Sequence, residues 1–174
     1  RRVLFRSKSG RCEVVVGDIA DAGLVKSLLE KHRPVSIVNF AAESHVDRSI
    51  DEPAPFLHTN VTGTFVLLEA TRNYLRGKMA PEKDLFRFVH LSTDEVHGSL
   101  ELSDPPFRET STFAPNSPYA ASKAAADHLC RAYFRTFAVP TVVLRPSNNY
   151  GPNQFPEKLI PLAILRAVAG EKIP

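Results

Sequence analysis

The sequence predicts an α/β fold built on a parallel sheet, and three observations carry that reading. Short β-branched runs alternate with longer stretches of helical periodicity from residue 11 onward. The runs lack polar–apolar alternation, as strands buried on both faces do. The segments between them are long enough for crossover helices, so helices are expected on both faces of the sheet.

In chain order, Val14, Val15 and Val16 read as a first buried strand, ended by Gly17 and Asp18. A helix follows over Ala22–His32. Residues 35–40 form the next strand, ended by Ala41, Ala42, Glu43 and Ser44. A long helix over 55–74 would set Phe56, Asn60, Gly63, Leu67 and Ala70 along one stripe. Residues 86–91 give a third strand, followed by a polar loop. A helix over Pro118–Phe137, a fourth strand at Thr141–Leu144 and a last helix over Leu159–Val168 complete the pattern. In such sheets ligands gather beyond the carboxyl ends of the strands. Here those ends, Gly17-Asp18 and residues 41–44, 92–95 and 145–149, hold the most polar short segments of the chain.

Composition narrows the classes. The 174 residues are one domain's worth of core-forming chain, and no apolar run approaches the roughly 18 residues of a membrane span. Two cysteines, Cys12 and Cys130, are too few for a disulfide scaffold, and a reducing, cytoplasmic setting is expected. The net charge of +3 rests on Arg1, Arg2 and Arg6. Residues 1–7 back-translate into a common sequencing-adapter end and are expected to be an artefact; genomic sequence encoding the same heptapeptide before Lys8 would refute this. Without them the basic excess vanishes, so neither a nucleic acid nor a membrane is expected as partner.

The eight glycines form no G-x-G-x-x-G turn, the element that presents a helix N-terminus to a pyrophosphate. Either the chain binds no dinucleotide or its first strand–turn–helix was lost; as residues 171–174 also stop without a terminal signal, it is expected to be a piece cut at both ends. Its six histidines show no ligand spacing with one another or with cysteine, and no metal is expected. Asn60-Val61-Thr62 matches a glycosylation sequon but falls inside a predicted helix, and it is discounted.

Two groups of residues carry chemistry. Tyr119 and Lys123 stand four apart on a helix and share a face, so the ammonium can sit near the phenol and favour phenolate. Alone the pair is equally a surface tyrosine beside a solvated lysine. Ser92-Thr93-Asp94-Glu95 ends a strand; two adjacent carboxylates in unlike environments can divide acid and base roles. Alone it is equally a loop with capping hydroxyls and surface acids.

Together, Ser92-Thr93-Asp94-Glu95-Val96 and Tyr119-x-x-x-Lys123 resemble the extended short-chain dehydrogenases/reductases, and more narrowly the nucleotide-sugar 4,6-dehydratases of the dTDP-glucose type. Residues 39–49, 59–64 and 148–161 agree in the family's order. The resemblance implies a Rossmann-like, doubly wound sheet, with residues 8–150 a partial NAD-binding domain and 151–174 the start of the sugar-binding region. It implies NAD as cofactor, a nucleotide-diphospho-sugar as substrate, and a homodimer at full length, with the 55–74 and Pro118–Phe137 helices as candidate interface.

The resemblance also implies roles. Tyr119 takes the proton of the sugar 4-hydroxyl, Thr93 bonds the C4 oxygen, and Lys123 supports the phenolate. Glu95 removes the C5 proton and Asp94 protonates the departing 6-hydroxyl. Asp18, Ile19, Phe40, Ala41, Ala42, Glu43, Ser44, Thr59 and Asn149 are implied on the cofactor side, with Tyr119 and Lys123. Ser44, Thr93, Asn148, Lys158, Leu159 and Pro174 are implied on the substrate side. His97 departs from the tyrosine usual there. The alternatives are a UDP-glucose 4,6-dehydratase, an epimerase or decarboxylase, against which Asp94-Glu95 argues, and a non-catalytic binding module, which would not need all five catalytic residues. Without the glycine turn, the 174-residue chain alone is expected to turn over little or nothing.

Overall fold

A computed structural model describes residues 13–173; the adapter-like residues 1–7, Cys12 and Pro174 lie outside the described residues. Helix α1 spans Ala22–His32, with the Asp21 carboxylate accepting from Leu24 N at its start and Arg33 in the left-handed region at its end. Strand β1 is Ser36–Asn39. Two short helices follow, α2 at Val46–Asp51 and α3 at Ala54–Phe56. A π-helical segment, Leu57–Gly63, then runs into α4, Thr64–Arg76. After α5 (Ala80–Leu85) comes β2 (Arg87–Leu91), which leads into a 3-10 turn at Asp94–His97. Helix α6 covers Pro118–Phe137, with Pro118 in its first turn and the Ser117 hydroxyl accepting from Ala120 N. Strand β3 is Thr141–Leu144 and helix α7 is Leu159–Val168.

The sheet is parallel, in the order β1-β2-β3. Its register sorts the side chains by face. Ile37, Asn39, Phe88, His90 and Val143 point to the side covered by helices, where Val25, Leu29, Leu67, Leu68, Cys130, Tyr133 and Val139 form the core with Phe86 and Phe88. Val38, Val142 and Leu144 point the other way and are exposed.

Two expectations are corrected here. The strands are not buried on both faces: each alternates between a covered and an open side. Nor is 14–16 a strand. Its three valines are exposed, Val16 at 79%, because an apolar run becomes a strand only where a neighbour pairs its backbone, and among the described residues this segment joins no ladder of the sheet.

The predicted 55–74 stripe is buried as expected at Phe56, Asn60, Gly63 and Leu67. Gly63 lets Ile19 pack close: a Cβ there would meet Ile19 Cδ1 at 2.5 Å and push that side chain aside. Burial also disposes of the sequon, since Asn60 is 1% exposed. Among the described residues no helix is long and apolar enough to cross a membrane.

Candidate active site

The sheet's carboxyl edge is extended one step beyond β2 by Ser92 N, which donates to Leu144 O at 2.7 Å. Thr93 then caps the 3-10 turn. Its Oγ1 accepts from Glu95 N at 3.3 Å and donates to Asp94 Oδ1 at 3.4 Å. The turn closes through Gly98, whose φ of 99° and a Cβ-forbidding contact with Ala114 O explain the glycine. His97, the residue at the family's usual tyrosine, is buried between the rings of Phe107 and Phe113.

Tyr119 comes from the first turn of α6. Its N–H donates to Ser49 Oγ on α2 at 3.2 Å, and its ring meets Phe56 edge-on at 6.4 Å. Burial and then the charge of Glu95 hold the phenol above the ordinary tyrosine range, with the Thr93 hydroxyl opposing them. Glu95 is itself pushed up, first by burial and then by Asp94, with Lys158 opposing. A buried carboxylate raised in this way is a stronger base than a free one.

Lys123 stands one turn along α6 from Tyr119 and reaches the end of β2. Its ammonium donates to Leu91 O, and burial lowers it to about 8. The inward direction follows from its 2% exposure: a buried ammonium needs an acceptor, and the last carbonyl of β2 supplies one.

A cleft of about 530 Å³ joins these groups. Thr93, Glu95 and Tyr119 line it with Ser44, Asn148, Lys158 and Leu159. Asn149, expected on the cofactor side, lines this same cleft, as do Ser147, Gln154 and Ile160, which the sequence reading did not single out. Asp94 is not among its lining residues and sits beside Thr93 instead.

A second cleft, about 710 Å³, gathers Asp18, Ile19, Phe40, Ala41, Ala42, Glu43, Ser44 and Thr59, with Val14, Val15 and Val16 as an apolar wall. Ser44 belongs to both clefts. Asp18 accepts from Ala20 N at 2.8 Å and contacts His58 Nε2 at 2.7 Å; the backbone bond first, and then His58, hold its carboxyl low.

The clefts are tied together by Asn60, which the sequence reading treated only as part of a stripe. Its Oδ1 accepts from Glu43 N at 2.9 Å, and its Nδ2 donates to Glu43 O at 3.0 Å and Ser122 Oγ at 2.8 Å. One polar residue on an otherwise apolar stripe was the available signal. Asp127 was also missed: it continues the four-residue spacing of Tyr119 and Lys123 along α6. Among the described residues no group of His, Cys, Asp and Glu is arranged to hold a metal.

The family profile of GDP-mannose 4,6 dehydratase matches residues 3–174. A dTDP-glucose 4,6-dehydratase of Xanthomonas campestris pv. campestris (strain B100) is 56% identical over 92% of this chain and 45% of its own length. dTDP-glucose 4,6-dehydratase 1 of Escherichia coli (strain K12) is 52% identical over 90% of this chain and 46% of its own. Among solved structures, a double mutant of DesIV, the dTDP-glucose 4,6-dehydratase of Streptomyces venezuelae, with NAD and DAU bound, superposes with a TM-score of 0.84. It is 44% identical and covers 96% of this chain and 48% of its own. The chain thus spans about half the length of the curated relatives it matches.

Proposed function

Because the chain belongs to the GDP-mannose 4,6-dehydratase family, we propose that it carries the cofactor-binding and acid–base part of a nucleotide-sugar 4,6-dehydratase that converts dTDP-glucose to dTDP-4-keto-6-deoxyglucose. The observation that carries this reading is the convergence of Thr93, Glu95 and Tyr119 on one cleft with Ser44, Asn148 and Lys158.

The second cleft fits an adenine dinucleotide. Its exposed valines and Phe40 offer an apolar wall for a planar base, Asp18 offers a carboxylate, and Glu43 Oε2 is buried with no hydrogen-bond partner among the described residues. Asp18, Ile19, residues 40–44 and Thr59 would hold NAD, with Asn149 on the adjoining wall. When bound, NAD supplies the reversible oxidation that makes C4 a ketone and C5–H acidic.

The chain's own groups handle the protons. Tyr119 Oη receives the proton of the 4-hydroxyl, and the Thr93 hydroxyl orients the C4 oxygen. A phenol held high by burial needs a cation to work near neutrality; Lys123, one turn further along α6, supplies it. Glu95 takes the C5 proton, its raised basicity suiting that task. Asp94, beside Thr93, delivers a proton to the departing 6-hydroxyl, which leaves as water. Lys158 offers a point charge to the substrate diphosphate. We assign residues 8–150 to the cofactor domain and 151–174 to the start of the sugar-binding region. The whole protein is read as a cytoplasmic homodimer that engages neither nucleic acid nor membrane.

The test uses the complete reading frame with dTDP-glucose and UDP-glucose in parallel, in deuterated solvent. The expected result is a 4-keto sugar seen by alkaline absorbance, with solvent deuterium at C5, and preference for dTDP-glucose. Formation of a C4 epimer without ketone accumulation would replace the reading with an epimerase.

A further inference from the structure

Beneath the catalytic cleft lies a group of buried ionisable residues to which no step above assigns a role. Asp127 is 2% exposed and one helical turn beyond Lys123 on the same side of α6. Arg145, just after β3, donates from Nε to Asp127 Oδ2 at 2.8 Å. The same guanidinium lies 4.8 Å from the ring centre of Phe113, so it is held from both sides. Asp127 Oδ1 has no hydrogen-bond partner among the described residues; His90 Nε2, on β2, is 3.8 Å away.

We propose that Asp127 is a positioning residue for Lys123: clamped by Arg145, it supplies the counter-charge that keeps the buried ammonium a cation beneath the cleft. The inference rests on the role given above to Lys123 and adds the group that sustains it.

A buried carboxylate is expensive unless something requires it, and an apolar residue would join α6 to β3 at least as well. Arg145 by itself would disfavour a second cation nearby, so the carboxylate that binds it, one helical turn from Lys123, offsets its charge. The other titratable groups facing Lys123 cannot do this. His90 is held neutral, at about 3, by burial and by the charge of Lys123. The Cys130 thiol is pushed up to about 12, chiefly by burial. Tyr119, a turn earlier, is a neutral phenol pushed up by burial and by Glu95. Asp127 is the strongest influence that raises Lys123 against burial.

The experiment follows the ε-carbon of Lys123 by NMR in the complete, lysine-13C-labelled protein, the signal being identified by its loss in Lys123→Arg. In Asp127→Asn the titration midpoint should fall by about one pH unit, a tenfold change in protonated fraction, and Asp127→Glu should restore it. Arg145→Gln, which leaves Asp127 to Lys123 alone, should raise it and serves if Asp127→Asn does not fold. The alkaline limb of kcat/KM should move with the midpoint. A merely structural Asp127 would lower stability and activity at every pH while leaving the midpoint in place; that result, in either variant, overturns the proposal. A midpoint that shifts in a protein that forms no keto sugar supports the coupling and rejects the dehydratase reading instead.

Discussion

The cleft around Thr93, Glu95 and Tyr119 is walled by strand ends and by α6, which reach it through buried bonds: Tyr119 N to Ser49, Asn60 to Ser122, Arg145 to Asp127. The cleft around Asp18 has an unpaired run of exposed valines for one wall and, at Asp18, a half-exposed contact with His58. The difference matches the demands of the two tasks. Proton transfer needs groups fixed within hydrogen-bond reach, and fixing them means burying charge. A large cofactor brings its own apolar surface and can complete walls that are only partly formed.

The sharpest way to break this comparison is Glu95→Gln. Keto-sugar formation by the complete protein should fall by about 10²–10⁴-fold. Stability should move the other way. Because the folded carboxyl of Glu95 is raised, its charged form is disfavoured; that penalty is present at neutral pH and absent below the unfolded value near 4.5. Thermal unfolding should therefore show a gain for Glu95→Gln at neutral pH that disappears in acid.

Next in size is Asn60→Ala, which strands Glu43 N–H and C=O between the two clefts. About 2–3 kcal/mol should be lost in urea unfolding. A loss of only a few tenths would mean the clefts are not joined through this residue.

His90 gives a pH signature for the buried side. Its folded value, about 3, lies below the ordinary 6.5, so the unfolded chain takes the proton first. Stability should fall as pH drops from 6.5 toward 3, at a rate on the order of 1 kcal/mol per pH unit, and His90→Gln should flatten that slope.

The smallest effect is expected on the open side. His58→Ala should weaken dinucleotide binding less than about fivefold and only at low salt, as exposed ion pairs do. A larger, salt-independent loss in calorimetry would show the second cleft to be as firmly built as the first.

Much of the fold could be read from the sequence because its signals are local. Helices α1, α6 and α7 and strand β3 begin and end where periodicity predicts, with Ser117 and Pro118 marking one start. Helices α2 and α5, six residues each, are too short for periodicity to declare them. The valines at 14–16 have strand composition, but pairing is a property of neighbours. Likewise Tyr119 and Lys123 do share a helix, yet the sequence says nothing of Leu91 O, the carbonyl to which the ammonium donates. Most of the proposed site residues fall into the two clefts because the motifs mark strand ends. Asp94 lines neither cleft and Asn149 lines the first rather than the second, since a motif fixes order along the chain but not which way a loop residue turns.

The π-helical segment Leu57–Gly63 has a consequence for how this region tolerates change in length. It presents His58 to Asp18, Thr59 to the second cleft and Asn60 to the seam within three successive residues. Deleting one residue there would let the segment relax to ordinary α-helical winding, changing the phase of these three contacts while the flanking helices nearly keep theirs. Single substitutions leave that phase intact, whereas a one-codon indel would scramble three addresses at once.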